Sequence, residues 1–389
     1  FKCCSSIETI SINSPSVSIG SCAFELCTSL KEAYINTPSI INMNNTFSEC
    51  NSLEYVTLHA NETILGYKAF YLCSSLKKIV LNDSNKILYF GSYCFDGCSS
   101  LIEIPKNQSI ERICKKTFKD CSSLTNIMIS PSCRFIDRSA FEGCFNIKQI
   151  NFGNSCLLAI IGKNAFCGCS SLEKISIPSA VTKIEESSFS KCTSLKEFSF
   201  QITKSSLNVL GLTEMNNIEI PFSLFIISNR SFFECTSLEQ INKPSSVTKI
   251  DDYAFDGCIS LSSVLFDSKS SLTSIGEGSF RNCHMLNQMT IPSSVVSIGS
   301  FAFQDCISLN VISFEMPSSL TDIGEGAFMA CKTLSMISIP QSVTSIGKDA
   351  FKNCFLMEEI TIPSSINRND LYIEPNTKII EIPTSCLIS

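Results

Sequence analysis

The chain has 389 residues, 44% hydrophobic and 17% charged, with 16 Gly and 13 Pro; this excludes a disordered or low-complexity chain and supplies ample apolar material for a core. Its 36 acidic and 30 basic residues give a formal charge of -6 and are interspersed along the sequence, so no basic face and no nucleic-acid partner are expected. No uninterrupted apolar run is long enough to cross a membrane, so no membrane insertion is expected, and Phe1-Lys2-Cys3-Cys4 lacks the basic-then-apolar pattern of a signal peptide.

From the first residue onward the chain repeats. Phe-x-x-Cys occurs at Phe1/Cys4, Phe24/Cys27, Phe47/Cys50, Phe70/Cys73, Phe95/Cys98, Phe118/Cys121, Phe141/Cys144, Phe166/Cys169 and Phe189/Cys192. It resumes at Phe232/Cys235 and continues through Phe255/Cys258, Phe280/Cys283, Phe303/Cys306, Phe328/Cys331 and Phe351/Cys354, at spacings of 23 or 25 residues with one gap of 43. If Val209, Leu212 and Met215 replace Phe, Cys and Leu, the gap divides into 20 and 23 and the units number sixteen, with an irregular repeat at about 201–231. The 25-residue units carry two extra residues before the second apolar pair, and insertions at one point of a repeat leave a stacked core intact.

A clean unit reads Ala327-Phe328-x-x-Cys331-x-x-Leu334-x-x-Ile337-x-Ile339-Pro340-x-Ser342-Val343-x-x-Ile346-Gly347. Its Leu-x-x-Ile-x-Ile stretch alternates as a strand with one buried face, and Pro340 ends it. A corner and a second short extended piece follow. A turn or single helical turn then carries the next Phe, with Gly20, Gly299 and Gly347 placed where a turn needs φ > 0 or close backbone approach. A coil of this size cannot bury its apolar stripe alone, so coils stack like on like. The expected fold is a solenoid of the α/β class, strand-rich with short helical turns, whose roughly sixteen coils share a continuous parallel sheet about 75 Å long. This makes residues 1–389 a single domain. Residue 1 falls mid-unit without a polar cap, as in an excerpt of a longer chain, and 366–389 departs from the pattern as a C-terminal cap or the start of further repeats.

The repeat Ala-Phe-x-x-Cys-x-x-Leu-x-x-Ile-x-Ile-Pro-x-Ser-Val-x-x-Ile-Gly resembles the BspA-like leucine-rich-repeat family of surface antigens and adhesins, over essentially the whole chain. The resemblance implies a cell-surface or extracellular protein that binds host or matrix proteins. An intracellular interaction scaffold built on the same surface is the alternative. Glycosylation of sequons such as Asn61-Glu62-Thr63 would favour the first.

Of the 23 cysteines, fifteen occupy the repeat position. Beyond Cys4 these are Cys27, Cys50, Cys73, Cys98, Cys121, Cys144, Cys169, Cys192, Cys235, Cys258, Cys283, Cys306, Cys331 and Cys354, expected to form a reduced, buried, structural ladder against backbone carbonyls. Among the other eight, Cys133 and Cys156 fall in adjacent coils and are the preferred disulfide pair. The two histidines, His59 and His284, lie far apart, and Cys167-x-Cys169 has no second pair at zinc spacing, so neither a metal nor another cofactor is expected. No nucleophile–base pair, phosphate loop or metal motif is present, and the chain is read as non-enzymatic.

In each strand the residues two and four places after Leu point out across the sheet. Most are polar. One column, however, reads Tyr34, Thr57, Val80, Pro105 and Met128 over five consecutive coils, with Tyr55 beside it. Tyr34, Tyr55, Val80 and Met128 are therefore the expected binding ridge, and Leu265, Val311 and Met336 form a weaker second cluster.

Overall fold

The computed structural model describes residues 1–37, 41–81, 86–105, 110–153, 155–200, 226–242, 247–266, 270–368 and 371–383. Two compact units divide the chain, Phe1–Val181 and Thr182–Ser389. Both are stacks of coils in which every described strand pairing is parallel, and the coils number about 14 rather than sixteen.

Each coil contributes two extended segments, and these build two sheets rather than one. In the first unit the Leu-x-x-Ile segments form long strands, Thr9–Asn13, Glu32–Asn36, Tyr55–His59 and Lys78–Leu81, paired in chain order. Asn126–Ile129 and Gln149–Phe152 pair likewise further on. The second apolar pairs form a short-strand sheet through Ile41–Asn42, Glu62–Leu65, Lys86–Phe90, Arg112–Ile113, Phe135–Ile136 and Ile160–Ile161. The second unit repeats the plan. Its long strands run from Glu197–Phe200 to Glu359–Pro363, its short ones from Lys183–Ile184 to Ser345–Ile346. Lys378–Ile382 adds a further strand in register with Glu359–Pro363, within the segment where the repeat pattern has faded.

The alternation in the long strands is the reason for this architecture. In Asn126–Ile129 the side chains run exposed, buried, exposed, buried, and neighbouring coils place Ile over Ile. Between the two sheets the phenylalanines stack, with centroids 5.3 Å apart and rings within 10° of parallel from Phe70 through Phe166. Each ring there is fully buried, which contributes roughly 1.5–3 kcal/mol per coil.

The segment carrying Phe is not helical, and no helix occurs among the described residues. Two residues per coil explain this. Lys116 and Asp120, flanking Phe118, have φ of 54° and 56°, and equivalent left-handed residues recur from coil to coil. They break the i→i+4 ladder and aim N–H groups sideways, so that Lys116, Phe118 and Asp120 donate to Arg138, Ala140 and Glu142 of the next coil at 3.1, 2.8 and 2.8 Å. The glycines before Ala-Phe serve a different need. Gly299 and Gly347 do not have positive φ; a Cβ there would lie 2.6 and 2.3 Å from backbone atoms of the preceding coil. Close approach fixes them.

The irregular repeat expected at about 201–231 is flanked by coils that meet each other directly. Ile184 pairs directly with Ile227 and Glu197 with Gln240, Phe189 stacks on Phe232 at 5.8 Å, and the Cys235 thiol reaches the Phe189 carbonyl at 3.1 Å. The coils on either side of the long gap therefore lie against each other. Val209 and Leu212, expected to stand in for Phe and Cys, belong to residues 201–225. Residues 201–225 themselves lie outside the described residues.

Candidate functional site

The ladder cysteines follow directly from the turn. Cys27, Cys50, Cys73, Cys98, Cys121 and Cys144 each donate from Sγ to the carbonyl of the Phe one coil back, at 2.9–3.1 Å. Cys169, Cys258, Cys283, Cys306, Cys331 and Cys354 do the same at 3.1–3.5 Å, and Cys192 is likewise fully buried. Burial pushes the Cys50 thiol up to about 12 and the other deep thiols well above their ordinary value. Such groups are poor nucleophiles. No disulfide occurs among the described residues. In particular, Cys133 and Cys156 are free and buried, and Cys156 Sγ faces the Ser130 and Cys133 carbonyls at 3.9 and 4.0 Å. Cys386 lies outside the described residues. Among the described residues no group of His, Cys, Asp or Glu is arranged to hold a metal ion, and no helix is long and apolar enough to cross a membrane.

On the long-strand sheet, Tyr34, Thr57 and Val80 stand side by side in register, and Tyr55 stands in the neighbouring column between Glu32 and Lys78. Val80 and Tyr55 are exposed. Tyr34 is half-buried because its ring packs edge-on against His59 at 5.3 Å, with the hydroxyl 3.4 Å from Nδ1. Lys77 lies 5.6 Å above the Tyr55 ring while paired with Glu54 at 2.6 Å. The aromatic part of the ridge is thus held in place by polar partners along its rim.

The ridge does not run unbroken to Met128. Residues 101–105 form no strand, and Pro105, expected as its fourth member, is buried. Proline has no N–H to give the ladder, so the column ends there. Met128 is 74% exposed and stands next to Asn151. With Pro105, Ile104, Ile110, Phe90 and Pro131 it lines a cleft of about 320 Å³. In the second cluster Val311 and Met336 are direct neighbours, both exposed. Leu265 stands apart from them, in the other column and opposite Asn242.

A further cluster escaped the sequence reading because it sits on the turn edge, not the sheet. Lys68 Nζ lies 4.3 Å from the centroid of Tyr71, 5.7 Å from Tyr67 and 6.0 Å from Tyr93. Lys115 and Lys116 approach Tyr93 at 5.5 and 5.3 Å. Reading the repeat down its columns at the two positions before Ala-Phe would have gathered these residues.

The fold has a counterpart among solved structures. A leucine-rich-repeat protein from Bacteroides ovatus is 23% identical and aligns over 96% of this chain and 92% of its own with a TM-score of 0.65. A leucine-rich cell surface protein from Faecalibacterium prausnitzii is 24% identical over 94% and 89%, with a TM-score of 0.47. Among curated proteins none matches. The family model described as "BspA type Leucine rich repeat region" matches residues 1–122, 43–158, 88–213, 208–315 and 262–379. With the Phe stack, the thiol ladder and the parallel coils accounted for along nearly the whole of that span, the chain belongs to the BspA-type leucine-rich-repeat family.

Proposed function

We propose that the chain is a non-enzymatic recognition scaffold displayed at a cell surface or outside the cell, an antigen or adhesin that meets a host or matrix protein through the long-strand face of its first unit. One observation carries this reading: Tyr34, Thr57 and Val80 in register with Tyr55 beside them, an aromatic and apolar ridge on an otherwise polar sheet. Aromatic side chains on a rigid surface lose little entropy on contact and shed water readily. Family membership supports a repeat scaffold, whose long surface offers contact area without catalytic chemistry.

The test measures binding of the full chain to immobilised extracellular-matrix proteins, with Tyr34→Ala/Tyr55→Ala alongside the unaltered protein. One matrix protein should bind, and the double variant should bind it at least about tenfold more weakly, the loss of two modest hot-spot contacts. Its melting profile should not change, since neither ring belongs to the Phe stack. Equal affinity of the two proteins, or no binding to any matrix protein, would refute the proposal.

A further inference from the structure

Charges that are interspersed along the sequence are sorted by the fold. In the first unit, the two positions before Ala-Phe or its equivalent hold Tyr67-Lys68, Ser92-Tyr93, Lys115-Lys116, Arg138-Ser139 and Lys163-Asn164 in five consecutive coils. That edge carries five cations and no carboxylate at either position, so the expectation of no basic face fails here. The repeat does not demand it. The same positions of the second unit include Glu186, Asp252, Glu277, Glu325 and Asp349, with only Arg230 and Lys348 as cations.

We propose that this turn edge of the first unit binds a linear acidic polysaccharide, its sulfates or carboxylates meeting Lys68, Lys115, Lys116 and Arg138 while the exposed Tyr67 takes the face of a sugar ring and Tyr93 seats the ammonium groups. The site is a different surface from the sheet ridge and does not depend on it. Three observations favour such an occupant.

The first is the availability of the charge. Of the nearby acids, Asp137 is paired with Arg112 at 2.7 Å, Glu142 with Lys119 at 2.9 Å, and Asp96 is buried, whereas Lys68, Lys115 and Lys116 make no ion pair among the described residues. Their ammonium groups lean on tyrosine rings, which hold a cation without neutralising it.

The second is the spacing. The Phe rings directly behind this edge stand 5.3 Å apart from coil to coil between Phe70 and Phe166, so equivalent positions on the edge recur at about that interval, close to the length of one pyranose unit, with the Ser92-Tyr93 coil carrying a ring in place of a cation. An extended acidic peptide presents same-face side chains about 6.6 Å apart and drifts out of register within a few coils. A row of fixed period selects a ligand of matching period.

The third is the aromatic content. Tyr67 is 47% exposed, and it meets Tyr93 edge-on at 5.8 Å across adjacent coils. Bare phosphate or carboxylate capture needs no such rings, whereas the apolar C–H faces of sugars pack on them.

The experiment uses the full chain and four probes: a sulfated octasaccharide from heparin, an octagalacturonate, poly-L-glutamate and an oligothymidylate of similar charge. One of the two saccharides should bind at low salt, and which one identifies the anion. Lys115→Ala/Lys116→Ala/Arg138→Ala should weaken that binding at least tenfold and flatten its dependence on salt. Tyr67→Ala/Tyr93→Ala, which leaves every charge in place, should weaken it at least threefold with the salt dependence kept. Glu277→Ala in the second unit should leave it unchanged, and thermal melts of the variants confirm the fold. Failure of both saccharides to bind, unchanged affinity in either multiple variant, or equal binding of poly-L-glutamate or the oligonucleotide would overturn the proposal.

Discussion

Replacing one rung of the thiol ladder tests the account of what holds the coils together. Cys258 is fully buried, and its Sγ lies 3.2 Å from the Phe232 carbonyl, which also accepts the Cys235 N–H at 3.1 Å. Alanine therefore leaves no acceptor orphaned. It removes one heavy atom's burial and opens a small cavity, costing about 1 kcal/mol. Serine should cost more although it keeps a donor. Its C–O bond is shorter than C–S and draws the donor back from an acceptor already beyond the roughly 2.7–2.8 Å that O–H···O prefers. A more strongly solvated hydroxyl is then buried with a poor partner, at about 1–3 kcal/mol. Solenoid stability is local, so the assay is amide exchange at Phe255 and Gly257, which donate to Ser279 and Arg281 of the next coil. A cost of about 2 kcal/mol corresponds to roughly thirtyfold faster exchange there for Cys258→Ser, with Cys258→Ala between it and the unaltered chain. A serine variant as protected as the unaltered chain, or better protected than alanine, would refute this reasoning. So would rapid labelling of most ladder thiols by a bulky reagent in the native state, since burial holds them protonated as well as covered.

Two further perturbations follow from the turn geometry. Burial, with Asp120 adding to it and Lys116 and Lys119 opposing, lifts the Asp96 carboxyl to about 6, so the folded state holds this proton more tightly than the unfolded chain does at about 3.9. Its stabilising contribution is present below pH 4 and lost as pH rises through 6; Asp96→Asn should remove that loss and be more stable at pH 8 by about 1–2 kcal/mol, and an unchanged urea midpoint between pH 4 and 8 for the unaltered chain would count against it. Gly299→Ala would force a Cβ to 2.6 Å from the backbone of the preceding coil and should cost about 1–3 kcal/mol, whereas Gly20→Ala, with nothing within 4 Å, should be nearly neutral; equal melting behaviour of the two variants would show that coil approach does not fix these glycines.

Much of this molecule was legible in one dimension. The Phe-x-x-Cys register gave the coil, and Leu-x-x-Ile-x-Ile gave a strand with one buried face. A unit too small to bury its own stripe has to stack on copies of itself, so periodicity alone dictated a parallel solenoid. The placement of Tyr34, Thr57 and Val80 in one column followed from the same count, because strand pairing between identical coils leaves no freedom of register.

Other features were decided only in three dimensions. Whether the Phe segment is helical depends on where its N–H groups go, and left-handed residues such as Lys116 and Asp120 send them to the next coil. That conformation falls on Lys, Asp, Tyr and Ser as readily as on Gly, so composition does not mark it. Pro105 leaves the outward column because a strand without its N–H does not form there, and Phe189 finds Phe232 directly although 43 residues separate them in sequence. Charge is the plainest case. Acids and bases are interspersed along the sequence, yet a period of 23 or 25 residues brings Lys68, Lys115, Lys116 and Arg138 onto one edge. Linear order fixes which residues a coil contains; stacking decides which of them become neighbours.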